Sequence, residues 1–222
     1  MALKDTLRPS RMRLPISIAI LVSLPFVLGQ AQQDPASLPA RDSHEGLLIA
    51  ADPYQDATRY KTRFGKKNPY DAGILAIEVY FRNDSDKPIR LDLEAIRLLL
   101  SPPGFETQRL GPLSAEDVAD RLLLKGGSDP TARRRPLPVP GRGPKAGHSK
   151  EWDELVASLR AGAFEADLLP PHGTVHGLFF FDIDRHYDWL AYARLYIPDL
   201  RFMTDKKALL FFDVDLAAAR PH

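Results

Sequence analysis

Apolar and polar residues alternate along residues 74–82, and this is the clearest pattern in the chain. The apolar positions lie on one face of an extended segment: Leu75, Ile77, Val79 and Phe81. Glu78 and Arg82 lie on the other face. Because side chains alternate across a strand with a period of two residues, residues 74–82 are predicted to form a half-buried β-strand.

The residues that follow this strand predict a hairpin. Asn83-Asp84-Ser85-Asp86-Lys87-Pro88 is a run of turn-forming residues, and the alternation returns over residues 89–93. The two strands are therefore expected to pair with each other in antiparallel fashion. Residues 47–51 and 96–100 are two further predicted strands. The polar residues 52–72, which separate the strand at 47–51 from the strand at 74–82, are interpreted as a loop.

Two helices are predicted within an insertion at about residues 113–162. Ser114-Ala115-Glu116-Asp117 resembles a capping box with Asp in place of Glu, and it opens the first helix. Ser149 is positioned to cap the second helix, and Gly162 is positioned to end it. The second helix carries an apolar stripe formed by Trp152, Leu155, Val156 and Leu159. Residues 126–149 between the helices are rich in proline and glycine, which predicts a flexible, disordered basic loop.

The strand pattern returns after this insertion. Residues 174–183 contain Phe179-Phe180-Phe181, which predicts a strand with apolar neighbours on both faces. Residues 191–197 and 207–216 alternate again, and Leu210, Phe212, Val214 and Leu216 share one face of the last segment. About seven short strands without βαβ units predict a mainly β fold, an antiparallel sandwich with a two-helix insertion. Periodicity leaves a barrel open as the alternative.

The N-terminal residues 1–31 have the three parts of a secretory signal peptide. Basic residues precede an apolar run at 14–28, and small residues follow at Gly29 and Ala31. Cleavage is expected after Ala31. The apolar run is shorter than the roughly 20 residues that span a bilayer, so an uncleaved anchor is disfavoured. Residues 32–45 are interpreted as a flexible tether and residues 46–222 as the folded domain, exported to the periplasm or beyond the cell.

The composition narrows the chemistry that this chain can support. It has no cysteine, which excludes disulfides, thiolate metal sites and a cysteine nucleophile. Its formal net charge is +1, which is too balanced for nonspecific binding of nucleic acid by the whole chain. Contact with a membrane is expected only through the signal segment before cleavage. No common catalytic motif is present, and no catalytic, cofactor or metal residue is assigned.

Two segments resemble a known type of domain. The hairpin sequence Asn83-Asp84-Ser85-Asp86-Lys87-Pro88 and the segment Pro170-Pro171-His172-Gly173 leading to Phe179-Phe180-Phe181 are similar to telokin-like, immunoglobulin-fold domains of unknown function in exported bacterial proteins. The resemblance covers about a fifth of the chain that follows the signal, and it consists of turn and packing residues. It implies an immunoglobulin-like β-sandwich that binds or positions a partner in the cell envelope, with no activity known for the family.

A cluster of imidazole and carboxylate groups supports an alternative function. Residues 172–188 contain ligand types that divalent metals prefer: His172, His176, Asp182, Asp184, His186 and Asp188. A metal-dependent or hydrolytic enzyme that uses this region is therefore an alternative hypothesis. The other interpretation is a solvated turn after a buried strand, because carboxylates are common in such turns.

Basic and aromatic residues suggest two kinds of partner. Arg133, Arg134, Arg135 and Arg142 in the basic loop are candidate contacts with an envelope protein or an anionic surface. The other interpretation is a loop that its charge keeps soluble. Trp189 raises carbohydrate binding as another alternative, whereas Trp152 lies at helical spacing and is predicted to be a core residue.

Overall fold

The computed structural model describes residues 34–123 and 149–219. Within them the chain forms mainly β-sheet, and all pairings between strands are antiparallel. The strands are β1 Arg41–His44, β2 Leu47–Pro53, β3 Ile74–Asn83, β4 Ile89–Arg90, β5 Arg97–Leu100, β6 Gln108–Leu110, β7 Leu168–Leu169, β8 Thr174–Asp182, β9 Ala193–Ile197, β10 Arg201–Phe202 and β11 Phe212–Asp215. The helices are α1 Ala57–Phe64, α2 Ala115–Leu123 and α3 Lys150–Arg160.

The described strands form three sheets. The first sheet has the order β1-β2-β3-β8, the second β11-β9-β5-β6, and the small sheet β10-β4-β7. The same two stretches of chain contribute to both the second and the small sheet, because β5 follows closely after β4 and β10 follows closely after β9. In the small sheet β4 pairs with β10, and in the second sheet β5 pairs with β9.

One hydrophobic core joins the three sheets. From the first sheet, β3 contributes Leu75, Ile77, Val79 and Phe81, and β8 contributes Phe179 and Phe181. The second and small sheets contribute Leu98, Leu195, Phe212, Ile89, Leu169 and Phe202 to the same core. The alternation predicted for residues 74–82 is therefore confirmed, since its apolar face is the buried one.

The opposite face of the first sheet is also buried, against the helices. Ile74, Ala76 and Phe180 pack there with Tyr60 of α1, Val118 of α2 and both Val156 and Leu159 of α3. The prediction that Phe179-Phe180-Phe181 lies in a strand with apolar neighbours on both faces is confirmed. The first sheet is therefore a central layer.

Local side-chain caps explain why α2 and α3 begin where they do. The Ser114 hydroxyl accepts the Asp117 backbone N–H at 3.1 Å, and the Asp117 carboxylate accepts the Ser114 backbone N–H at 3.3 Å. The Ser149 hydroxyl accepts the Trp152 N–H at 3.2 Å. Both predicted helix starts are confirmed, because each cap pairs amides that the helix itself leaves free.

The predicted hairpin between β3 and the next strand is wrong. Within the described residues β3 pairs with β2 and β8, whereas β4 pairs with β7 and β10 in the small sheet. The chain turns at Asn83 and crosses to the other side of the core. Alternation reports which face of a strand is buried, and a strand on either side of the core has the same pattern.

Asn83 holds this crossing in place. Its fully buried amide donates to the carbonyl oxygens of Lys87 at 2.8 Å and Pro170 at 3.0 Å. Its side-chain oxygen accepts the Ser85 N–H at 3.0 Å and the Ser85 hydroxyl at 2.6 Å. One side chain therefore ties the turn after β3 to the segment that precedes β8.

The predicted flexible tether at residues 32–45 is wrong for most of its length. Pro35–Ser37 forms a 3₁₀ turn capped by Asp34, and Arg41–His44 is strand β1. Leu38 packs on Leu48, Ala50 and Tyr80 against the outward face of the first sheet. Side-chain caps and a few apolar contacts order a segment that its composition describes as polar.

The predicted loop at residues 52–72 is also wrong, because it contains helix α1. The Asp56 carboxylate caps this helix by accepting the Arg59 N–H at 2.8 Å. Tyr60 is fully buried, and its hydroxyl accepts the Ala76 N–H at 2.7 Å. Tyr60 and the partly buried Phe64 are the apolar residues that hold α1 on the sheet, so the helix lacks the long apolar stripe from which a helix is usually predicted.

The last predicted strand is shorter than expected. Only Phe212–Asp215 is extended in β11, and Leu210 is 67% exposed instead of lying in the core. Strands β6, β7 and β10 were not predicted, since two or three residues carry too little periodicity. The predicted signal at residues 1–31 and residues 126–148 of the predicted loop lie outside the described residues. Residues 34–123 and 149–219 contain no helix that is long and apolar enough to cross a membrane.

We expect Asn83→Ala to lower the free energy of unfolding by about 2–4 kcal/mol, because it removes the hydrogen bonds of a fully buried side chain to Lys87, Pro170 and Ser85. Asp84→Ala is the matched control, since within the described residues the Asp84 side chain bonds only to Arg82, at the surface. It should change the stability by less than about 0.5 kcal/mol. Urea unfolding followed by tryptophan fluorescence measures both. Equal effects of the two substitutions would contradict the role of Asn83.

Candidate functional site

The six histidine and aspartate residues of the candidate metal cluster lie apart in the structure. His172 pairs with Asp86, with 2.8 Å between Nε2 and Oδ1. His176 lies on β8 and pairs with Glu78 across the first sheet, whereas Asp182 pairs with Arg121 of α2. These three residues, which extend from just before β8 to its last residue, therefore have separate partners.

The remaining three residues lie beyond the end of β8. The Asp184 N–H donates to Asp182 at 3.1 Å, and the His186 ring stacks on Trp189 with 4.0 Å between centroids. Asp188 lies in the first turn of the 3₁₀ helix Tyr187–Tyr192. Across residues 34–123 and 149–219 no three His, Asp or Glu side chains are grouped to hold a metal ion. The arrangement that a metal enzyme would need is not assembled from these residues.

The two tryptophans have different surroundings. Trp152 packs against the core between the helices and the first sheet, as predicted, and its Nε1–H donates to Asp120 at 2.7 Å. Trp189 is half-buried, with His186 stacked on it and the Phe105 ring centroid 5.3 Å away. Its ring is thus already in contact with two others. The candidate contacts Arg133, Arg134, Arg135 and Arg142 and the predicted cleavage site at Ala31 lie outside the described residues.

A cluster of polar side chains lies on the outward face of the first sheet, and we call it the Glu78 cluster. It comprises Asp52, Tyr54, Glu78, Tyr80 and His176. Glu78 Oε2 accepts the Tyr54 hydroxyl at 3.3 Å, and Glu78 Oε1 lies 3.2 Å from His176 Nδ1. The His176 ring stacks on Tyr80, with 5.1 Å between centroids. One carboxylate therefore links three strand segments of the chain.

Arg59 of α1 closes one side of the Glu78 cluster. Its guanidinium donates to both oxygens of Asp52, at 2.8 and 2.6 Å, and lies 3.7 Å over the Tyr54 ring. The negative charge of Asp52 and this paired geometry raise the pKa of Arg59, although burial acts in the opposite direction. The bidentate pair fixes the start of α1 to β2.

Burial is the largest cause of a raised pKa in both tyrosines of the Glu78 cluster. It raises the pKa of Tyr54, and the nearby Glu78 charge adds to the effect. Burial, together with the charges of Glu78 and Asp52, raises the pKa of Tyr80 to about 12. Both hydroxyls are therefore neutral donors at pH 7, which suits a hydrogen-bond network better than nucleophilic chemistry. Sequence reasoning missed this network because the pairing of strands brings its members together from distant parts of the chain.

A second surface, the outward face of the second and small sheets, is rich in arginine, and we call it the arginine face. Alternation along β5 and β9 buries one set of residues and leaves the other set outward. The outward basic residues are Arg90, Arg97, Arg109, Arg194 and Arg201. The outward apolar residues are Leu99, Leu168 and Tyr196, with Phe211 in ring contact with Tyr196.

The arginine face carries more positive charge than its carboxylates neutralise. Among the described residues, Arg194 alone of these five arginines has a carboxylate partner, with 3.1 Å between its Nε and Asp213 Oδ1. Arg97 donates to the backbone carbonyls of Glu94 and Ile96. In the described parts of the chain Arg90, Arg109 and Arg201 form no ion pair. The face is therefore electropositive, because its five arginines outnumber the two outward aspartates of β11, Asp213 and Asp215.

The arginine face also exposes apolar groups. Phe211 is 54% exposed and Leu168 is 46% exposed, and the arginines around them are exposed or half-buried. No described helix covers this face, unlike the outward face of the first sheet. Arginine, tyrosine and phenylalanine are enriched in protein interfaces, whereas lysine is depleted there. The arrangement has the composition of an interaction surface.

Comparisons with known proteins add no function. No family model matches the chain, and no curated protein matches it. A solved structure described as a functionally unknown protein from Listeria monocytogenes EGD-e is similar over 71% of this chain and 68% of its own. The sequence identity is 13% and the TM-score is 0.32.

We expect Tyr80→Phe to weaken the dependence of stability on alkaline pH. The unfolded tyrosine ionises near pH 10, whereas folding raises the pKa of Tyr80 to about 12. The stability that Tyr80 contributes is complete below pH 10 and is lost as the pH rises towards 12. The wild type should therefore lose stability over this range, and Tyr80→Phe should lose less.

The measurement is urea unfolding at several pH values between 9 and 11.5. Tyr192→Phe is the matched control, because Tyr192 is 46% exposed. It should keep the alkaline loss of the wild type. An identical pH dependence in the wild type and Tyr80→Phe would contradict the raised pKa of Tyr80.

Proposed function

We propose that this chain is an exported, non-enzymatic binding module of the bacterial cell envelope. We further propose that its fold is an immunoglobulin-like β-sandwich of the telokin-like type. The first sheet and the pair formed by the second and small sheets share one core, which supports the sandwich part of this proposal. The helices α1, α2 and α3 then belong to insertions that pack on one outer face.

Export is supported by the sequence of residues 1–31. Four basic residues precede an apolar run of signal length, and Ala31 follows at a position suited to cleavage. The absence of cysteine is compatible with export, because a buried core on both faces of the first sheet supplies the stability.

The single observation that carries the binding role is the arginine face. It combines arginines that have no carboxylate partner within the described residues with the exposed side chains of Phe211 and Leu168. Exposing Phe211 and Leu168 adds nothing to the stability of the fold. A partner with negative charge and apolar groups would complement this surface. We propose an envelope protein or an anionic surface as that partner. The basic residues Arg133, Arg134, Arg135 and Arg142 are proposed as additional contacts.

The polar groups of the Glu78 cluster support a structural role better than a catalytic one. Glu78 accepts from Tyr54 and pairs with His176, and Asp52 is held by Arg59. Each carboxylate is thus already engaged inside the fold. This is the basis for proposing a binding module instead of a hydrolase.

We expect the expressed full-length chain to be processed and exported. Intact-mass spectrometry of the chain from a bacterial periplasmic fraction should show a protein that begins at Gln32. Ala31→Pro should block cleavage, because the signal peptidase needs a small residue at that position and proline does not supply one. Retention of an unprocessed chain in the cytoplasm would contradict export.

We expect Phe211→Ser to weaken binding of the purified chain to isolated envelope membranes. Aromatic anchors at the centre of an interface commonly carry a large share of the binding free energy. The bound fraction in a co-sedimentation assay should fall by about half or more.

Phe105→Ser is the matched control for this substitution. Phe105 is also an exposed phenylalanine, at 64%, but it lies on the loop beside Trp189 and outside the arginine face. Its substitution should leave sedimentation unchanged. Equal binding by the wild type and both variants would contradict a role for the arginine face.

A further inference from the structure

Two arginines face each other directly across the small sheet. Arg90 of β4 is the register partner of Arg201 of β10, and both side chains are exposed. Directly opposite side chains have Cβ atoms about 4.5–5.5 Å apart, and like charges at such positions destabilise a sheet. The fold therefore places two positive charges side by side at a cost in stability.

Nothing within the described residues relieves this repulsion. Neither guanidinium forms an ion pair or a side-chain hydrogen bond there. Asp92 and Asp199 each lie two residues away along the chain, yet neither carboxylate pairs with the arginines. A shared anion placed between the two guanidinium groups would remove the repulsion and accept charge-assisted hydrogen bonds from both.

The neighbours of this pair indicate what kind of anion fits. On the other side of Arg90, the register partner in β7 is Leu168, which is 46% exposed. Leu99, Tyr196 and Phe211 add apolar groups to the same outward face. Charged and apolar groups are thus interleaved over a sheet surface. An extended acidic segment presents carboxylates and apolar side chains side by side at one level, whereas a bilayer presents its phosphates in one layer and its apolar chains beneath them.

We propose that Arg90 and Arg201 form an anion clamp that binds a carboxylate of an acidic protein segment, with Leu168 contacting an apolar side chain of that segment. This inference rests on the proposed binding function and names the chemistry of the partner. Arginine suits the role because its planar guanidinium pairs with both oxygens of a carboxylate.

The test measures binding of a labelled peptide to the full chain by fluorescence anisotropy. The probe is Glu-Ser-Leu-Ser repeated three times, which places glutamate and leucine alternately on one side of an extended chain. The same peptide with Gln in place of Glu is the control probe. The wild type should bind the glutamate peptide about tenfold or more tightly than the glutamine peptide.

Two double variants separate the clamp from general charge attraction. Arg90→Gln with Arg201→Gln should weaken binding of the glutamate peptide about tenfold or more. Lys61→Gln with Arg63→Gln removes the same charge from exposed residues of α1, which packs on the first sheet instead of the arginine face. This control should change the affinity by less than about twofold. Equal losses in both variants would overturn the clamp.

Thermal unfolding is a second measurement, and it distinguishes a binding role of these arginines from a structural role. Because the substitutions relieve a like-charge contact, each single variant, Arg90→Gln or Arg201→Gln, should raise Tm by about 1–3 °C while it weakens binding. A fall in Tm together with the loss of binding would mean that the arginines support the fold, and would overturn the proposal.

Vesicles of phosphatidylglycerol distinguish the failure of this inference from the failure of the proposed function. If the chain binds these vesicles through Arg90 and Arg201 but ignores the glutamate peptide, the protein partner is wrong and the binding module stands. If it binds neither, in low or physiological salt, both the clamp and the arginine face as a binding surface are overturned.

Discussion

Burial of both faces of β3 and β8 is the constraint on which the rest of this structure depends. These strands pair along the full length of β8, and their side chains enter a hydrophobic core on each side. A strand that is apolar on both faces is stable only as the centre of three layers. One face requires the second and small sheets, and the other requires α1, α2, α3 and the segment around Leu38. The two-sided pattern of β8 therefore accounts for the helices as well as the sheets.

Polar groups then connect the layers where the apolar contacts end. Asn83 satisfies backbone groups at the crossing from the first sheet to the small sheet, and Glu78 links strands on the outward side. Arg59 holds α1 to β2 through Asp52. Each of these groups joins segments that are distant in the chain, and each is largely paired. A satisfied polar network of this kind specifies one arrangement of the layers, because any shift would leave buried groups without partners.

Because the first sheet occupies the centre, the second and small sheets have one face in solvent. That exposed face carries features that lower the stability of the fold. Arg90 and Arg201 repel each other, and Phe211 and Leu168 expose apolar area. Unfavourable features that the fold could avoid commonly mark functional surfaces, where stability is traded for binding. The Glu78 cluster shows the opposite behaviour, since its charges are paired internally.

The sequence by itself determined which residues of β3 and β8 face the core and where the two longer helices begin. Alternation in β3, three consecutive phenylalanines in β8 and the caps at Ser114 and Ser149 act over a few residues, so they can be read locally. Only the tertiary structure decided which strands pair, as the wrong hairpin after Asn83 shows. It also decided that the polar segments at Arg41–His44 and Ala57–Phe64 are ordered, since pairing with β2 holds the first and Tyr60 with the Asp56 cap holds the second. The arginine face was out of reach for the same reason: Arg90 and Arg201 lie far apart in the chain, and pairing between backbone groups, which are alike in every residue, brings them together.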